Sequence, residues 1–316
     1  MRGEKPRTRD RVNPGAHSDK RTPFFDMDTT VRSVIVAPSS CRGEDMPYRH
    51  AWLFIIALIG ATVFAFWRSY FSVLSTSSTG FHIHGATATL WMLLLLAQSW
   101  TPHRGQLAAH RLVGRATFMA TPLFAAGGLA VMHSMAAGTI GGNPFYALWG
   151  VKLSVLDALA FGAVLYATGM ALRHRRQVRL HAGWMLSTAL PLVSPVLGRV
   201  FNQTVPGLIV RGPQDFPVFG GGVQLANLVA GLIALWLWRR DPRHGQPWAV
   251  ALGVIVVQIV AFQLIPAGEP WTSAFGLMAA PPLTVLLALG LAIGAASVWA
   301  GWTTPADRRK AQPAAA

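Results

Sequence analysis

Apolar residues run in long blocks separated by short polar connections, near 51–71, 81–100, 114–135, 147–171, 182–201, 218–238, 247–266 and 281–302. Twenty helical residues rise roughly 30 Å, the thickness of bilayer hydrocarbon. The pattern therefore predicts an all-α fold, a polytopic transmembrane helical bundle of about eight spans within residues 50–302. Pro281 and Pro282 open the last block, where proline suits a first helical turn. Gly290 and Gly294 within it make a GxxxG step that permits close helix packing.

The second block, FHIHGATATLWMLLLLAQSW, is the most informative. On a helix, His84, Thr87, Trp91 and Gln98 share one stripe, and His82 points about 200° away from His84. A polar stripe in lipid turns toward other helices or a cavity, because an unpaired polar group in hydrocarbon costs several kcal/mol.

Composition agrees: of 316 residues 52% are hydrophobic and 12% charged, with mean hydropathy +0.40, which excludes an ordinary soluble domain. The net charge of +15 raises the question of nucleic acid, but topology accounts for it. Residues 1–49 are hydrophilic and basic and lack the apolar core of a signal peptide, so they read as a disordered cytoplasmic tail. Met1, Met27 and Met46 are alternative starts for that tail. Basic residues then recur in alternate connections: Arg104, Arg111 and Arg115; Arg173, Arg175, Arg176 and Arg179; Arg239, Arg240 and Arg243. Arg308, Arg309 and Lys310 continue the series in the tail 303–316. The intervening connections hold only Arg211, so the positive-inside rule places both termini in the cytoplasm. The predicted partner is the lipid bilayer, and no nucleic acid is needed.

Cys41 is the single cysteine, so intrachain disulfides, CxxCH haem attachment and thiolate zinc clusters are excluded, and no metal site is assigned. Orientation sets His82, His84 and His133 at the outer ends of the second and third spans, with His84 and His133 at one depth. Facing histidines at one depth supply the axial nitrogens of a b-type haem, and Lys152 and Arg199, with Arg68, are cations for its propionates. The same histidines also suit loop hydrogen bonds at the interface, or direct metal binding by the His-x-His pair. At the cytoplasmic side His110 and His181 flank the starts of the third and fifth spans, beside His103 and His174. They are candidates for a second cofactor site or for phospholipid headgroups.

Asp157 lies near the midplane, with Asn227 and Gln258 at similar depth. Such a set suits proton transfer or transport, and equally a polar clasp between helices.

FHIHG with Gln98 downstream, HRLVGR at 110–115 and RLHAGWMLSTALPLVSPVLGR at 179–199 together resemble a group of uncharacterised bacterial multi-pass membrane proteins. That group shares a helix-opening HxHG, a loop HRxxG, and a loop HxxWM followed by an arginine one span later. The resemblance covers roughly residues 80–200 and falls on His82, His84, Gln98, His110, Arg111, Gly114, His181, Trp184, Met185 and Arg199. It implies a bacterial inner-membrane location and no particular reaction. The layout is also loosely similar to di-haem b-type cytochromes, which place their ligands inside helices.

Three functional classes stay open. One is a redox or sensor subunit binding haem b, with a redox partner or quinone. Another is a proton-coupled transporter or permease centred on Asp157, and the third is a structural or assembly subunit without chemistry. No catalytic residue is assigned.

Overall fold

The computed structural model describes residues 47–264 and 269–304. Most of the predicted tails 1–49 and 303–316, with Cys41 and the alternative starts Met1, Met27 and Met46, lies outside the described residues. Among the described residues every regular element is helical: α1 (Ala51–Phe66), α2 (Thr79–His103), α3 (Leu107–Ile140), α4 (Pro144–Arg173), α5 (Val178–Ser187), α6 (Leu190–Thr204), α7 (Phe219–Arg240), α8 (Gln246–Leu264), α9 (Glu269–Leu277) and α10 (Leu283–Thr303). Short 3₁₀ turns occupy Phe71–Thr76 and Pro213–Val218.

Seven of the helical segments are long and apolar enough to cross a membrane, counting α5 and α6 as one segment, Val178–Thr204. The first predicted span is shorter than expected. α1 has 16 residues, about 24 Å of helix, because the chain turns at Trp67 and re-forms as the 3₁₀ segment. In contrast, α3 has 34 residues and takes in HRLVGR. His110 and His181 therefore lie in the first turns of α3 and α5, not in loops. The α2–α3 reversal is tight because Gly105 takes φ +71°, open to a residue without Cβ.

Local chemistry sets the helix boundaries. Asn143 caps α4 by accepting from the Phe145 and Tyr146 amides at 3.0 and 3.2 Å, with Pro144 as the first helical residue. The α5–α6 break follows from Pro191, which has no N–H for the Ser187 carbonyl. Thr188 sits in the break, donates to the Met185 carbonyl at 2.6 Å and accepts from Trp91 Nε1 at 3.2 Å.

Packing neighbours follow the order α2–α1–α6–α7–α8–α4–α3 and back to α2, a closed ring, with α10 outside it against α3 and α4. One end of the ring carries Arg104, Arg111, Arg175, Arg179 and Arg240; we term this the basic end. Its half of the interior is filled by Ile55, Trp91, Leu95, Phe124, Val164 and Trp184. At this end Asp241 joins the α7–α8 connection to α5, accepting from Arg179 at 3.2 Å and lying 3.1 Å from His244 Nδ1. Partial burial pushes the Asp241 carboxyl up, but the bonds from His244 and Arg179 outweigh it and hold the group below its ordinary range. The pair is surface-exposed, so its contribution is small; it is present at neutral pH and fades as acid protonates Asp241.

α10 is held by backbone proximity. A Cβ on Gly290 would stand 2.5 Å from Ala126 Cα, and one on Gly294 2.5 Å from Pro122 Cα. The GxxxG step thus serves packing within the chain. Gly290→Val or Gly294→Val is expected to destabilise the protein by about 1–3 kcal/mol through overpacking. Gly162→Ala, where nothing lies within 4 Å, should leave stability unchanged, as checked by denaturation in detergent.

Candidate functional site

Opposite the basic end, the ring is not filled. A cavity of about 1460 Å³ lies there, bounded by α1, α2, α3, α4, α6 and α7 and by the Phe71–Thr76 and Arg211–Phe216 segments. This exceeds the usual range of small-molecule sites, roughly 300–1,000 Å³. Phe124 and Val164 belong both to its floor and to the packed half. Apolar side chains such as Met92, Leu156, Phe161 and Val223 dominate its wall. Among the described residues, the charged side chains lining it are Arg68, Arg199 and Arg211 against Asp157.

Arg199 is the central cation. A helical side chain leans toward the N-terminus of its own helix, which carries this guanidinium inward. Nη1 donates to the Pro195 carbonyl at 3.0 Å, and the guanidinium lies 4.3 Å over the Phe66 ring and 5.9 Å from that of Phe219. These contacts hold the charge and leave other N–H groups toward the cavity. Asp157 and Tyr146 on α4 and His84 on α2 line the same cavity as Arg199 on α6. Among the described residues the ion pairs are Arg179–Asp241 and His244–Asp241, so Arg199 and Asp157, which both line the cavity, form no ion pair with each other.

The two histidines of FHIHG diverge as their helical spacing predicts. His84 faces α3 at Gly127, where a Cβ would collide with Thr87 and stand 3.3 Å from His84 Cα. His82 Nδ1 lies 2.9 Å from the Tyr70 hydroxyl, which folds over the start of α2 beside Gly85. His133 donates from Nδ1 to the Met278 carbonyl at 2.8 Å and also lines the cavity.

The expected common depth of His84 and His133 is not found. Gly80 packs on Ala130 and Ser134, and Gly127 on His84 and Thr87, so His133 stands level with Gly80. That is about four residues, or roughly 6 Å, from His84 along the helix. Lys152 is also elsewhere. Its Nζ rests 5.4 Å from the Trp149 ring and 5.6 Å from that of Phe262, and the residue does not line the cavity.

Asn227 and Gln258 do not bond to Asp157. Asn227 accepts from Ser194 at 2.6 Å, and Gln258 donates to the Leu156 carbonyl at 2.9 Å, one residue before Asp157. Gln258 lines the cavity. Gln98 belongs to the basic end, where its Nε2 donates to the His110 carbonyl at 3.0 Å above Gly114. His110 and His181 are brought together there, with ring centroids 6.5 Å apart.

Sequence reasoning missed Tyr70, Tyr146 and Arg211 as cavity residues. Tyr146 had one usable signal, its place in the first turn after the Asn143-Pro144 cap; Tyr70 and Arg211 reach the cavity through connections whose paths are not periodic. Comparison with protein-family models, with curated proteins and with solved structures gives no match, so the functional reading rests on this geometry.

The cavity is open to a direct chemical check. In a Cys41→Ser background, Ala160→Cys, on the lining, should react with a small thiosulfonate reagent. Ala171→Cys, in the packed half at 0% exposure, should stay unmodified under the same conditions by mass spectrometry.

Proposed function

We propose that this chain is a bacterial inner-membrane carrier with eight spans and both termini cytoplasmic, which binds an amphipathic anion in the Arg199 cavity and couples its movement to a proton on Asp157. In this reading α1 is the eighth span, tilted little and completed by the aromatic residues beyond Phe66. The observation that carries the proposal is the presence of Arg199 and Asp157, not paired with each other, on the lining of one large apolar cavity. Charges at membrane depth are costly and persist where they serve an ion or substrate pathway. Arg68 and Arg211 add positive potential to the same lining, which favours an anion. The apolar wall accepts a hydrocarbon chain, and the Arg199 guanidinium accepts a carboxylate or phosphate headgroup.

The coupling follows from electrostatics. An ionised Asp157 repels an incoming anion and competes for Arg199, whereas a protonated Asp157 does neither. Binding therefore strengthens as pH falls through the Asp157 titration, and one proton travels with each anion. The broken α5–α6 segment supports this reading, since interrupted helices beside a midplane site are a recurring transporter feature.

Binding of a dansylated medium-chain carboxylate, followed by fluorescence in detergent, tests it. Arg199→Gln is expected to weaken binding roughly ten- to a hundredfold, the loss of a charge-assisted hydrogen bond of about 1.5–3 kcal/mol. Asp157→Asn is expected to bind as the acid form does and to lose the pH dependence. Unchanged affinity in Arg199→Gln rejects the anion site, and an intact pH dependence in Asp157→Asn rejects proton coupling.

One observation favours a second reading, in which the cavity holds haem b and the chain serves a quinone or another redox partner. The His133 Nδ1–H is committed to a backbone carbonyl, as in many ligating histidines, and its Nε2 is then the free nitrogen. Full-length protein from haem-replete cells would show a sharp reduced α-band that His133→Ala removes. A featureless spectrum from folded protein rejects this reading and leaves the carrier proposal standing.

A further inference from the structure

The His110–His181 pair takes no part in the cavity and lies at the other end of the ring. The two rings are nearly perpendicular, at 87°, with centroids 6.5 Å apart. His181 donates from Nδ1 to the Ala171 carbonyl at 2.9 Å, which fixes its orientation and makes Nε2 the nitrogen with a lone pair. His110 Nδ1 is buried and has no hydrogen-bond partner. A buried ring nitrogen without a partner forfeits the bond it made to water, and its lone pair is open to a ligand.

The spacing suits an ion. Two imidazoles bound at about 2.0 Å to one ion have ring centroids about 5.5 Å apart at a trigonal ion and about 6.3 Å apart at a linear one. The observed 6.5 Å is longer than a direct hydrogen bond between the rings would give, and a closing movement of about 1 Å would bring the pair to the trigonal spacing. Met185 lies one turn after His181 on the same face of α5 and is buried at 7% exposure. Imidazole with thioether is a soft, neutral ligand set that selects copper(I). Among the described residues no group of three or more His, Cys, Asp or Glu is placed to hold a metal, so no carboxylate or thiolate completes this pair. The neighbouring charge is Arg111, next in the chain. With neutral ligands and a cationic neighbour, a monovalent ion is less opposed than a divalent one.

We infer that His110, His181 and Met185 form a copper(I) site at the basic end of the bundle. The site is independent of the cavity and of its occupant. It gives one purpose to residues that no cavity contact explains: Gln98 fastens the start of α3, and the Ala171 carbonyl orients the second imidazole.

The test uses the full chain in detergent with cuprous ion under reducing conditions, against a chromogenic copper(I) chelator. One ion per chain is expected, and copper X-ray absorption should show two nitrogen scatterers and one sulfur. His110→Ala and His181→Ala should each weaken binding at least about tenfold. Met185→Leu should remove the sulfur scatterer and keep the two nitrogens. Absence of stoichiometric copper(I) binding by folded wild-type protein overturns the inference, as does binding that survives in the double alanine variant. If the alanine variants fail to fold, the wild-type absorption spectrum still decides: a shell lacking two imidazole nitrogens overturns the site.

Discussion

The guanidinium of Arg199 sets the terms for the cavity end of the bundle, because a full positive charge within an apolar helical bundle has to be held without being neutralised outright. Three weak contacts hold it, from the Pro195 carbonyl, the face of Phe66 and the more distant ring of Phe219. None of them is a counter-ion. The opposite charge, Asp157 on α4, lines the same cavity and forms no ion pair with it. A charge arranged in this way binds best to something that enters between. The cavity, its cationic lining and its apolar wall all meet that requirement.

Holding the two charges apart requires that the helices around them be held firmly elsewhere. Gly80, Gly127, Gly290, Gly294 and Gly301 do this by letting backbones meet where any Cβ would collide. α2, α3, α4 and α10 consequently form a tightly packed wall. α6 is different in kind: it starts again after a proline break, and its register is set by Thr188, Trp91 and the Ser194–Asn227 bond. The rigid wall carries His84 and Asp157, and the interrupted helix carries Arg199.

The two ends of the bundle have separate chemistries. One end has the cavity and its charges; the other has paired imidazoles over a close-packed floor of Trp91, Phe124, Val164 and Trp184. That floor is apolar and separates the two ends.

Hydropathy alone determined that the chain is a helical membrane bundle, because twenty-residue apolar blocks have no other stable form in lipid. It also located nearly every helix and identified which side chains are polar within them. The opposite directions of His82 and His84 were legible too, since helical periodicity is a local property. What only the tertiary structure decided is who meets whom. His84 and His133 are level in a count of residues, but the glycine contacts between α2 and α3 offset them by a turn. Asp157 shares the cavity lining with Arg199, while Asn227 bonds to Ser194 and Gln258 to the Leu156 carbonyl. Lys152, only five residues from Asp157, turns to Trp149 and Phe262. His110 and His181, far apart in sequence, converge because α3 and α5 start at the same end of the ring. Lateral neighbours depend on helix order, rotation and breaks, and none of these leaves a periodic mark on a single chain.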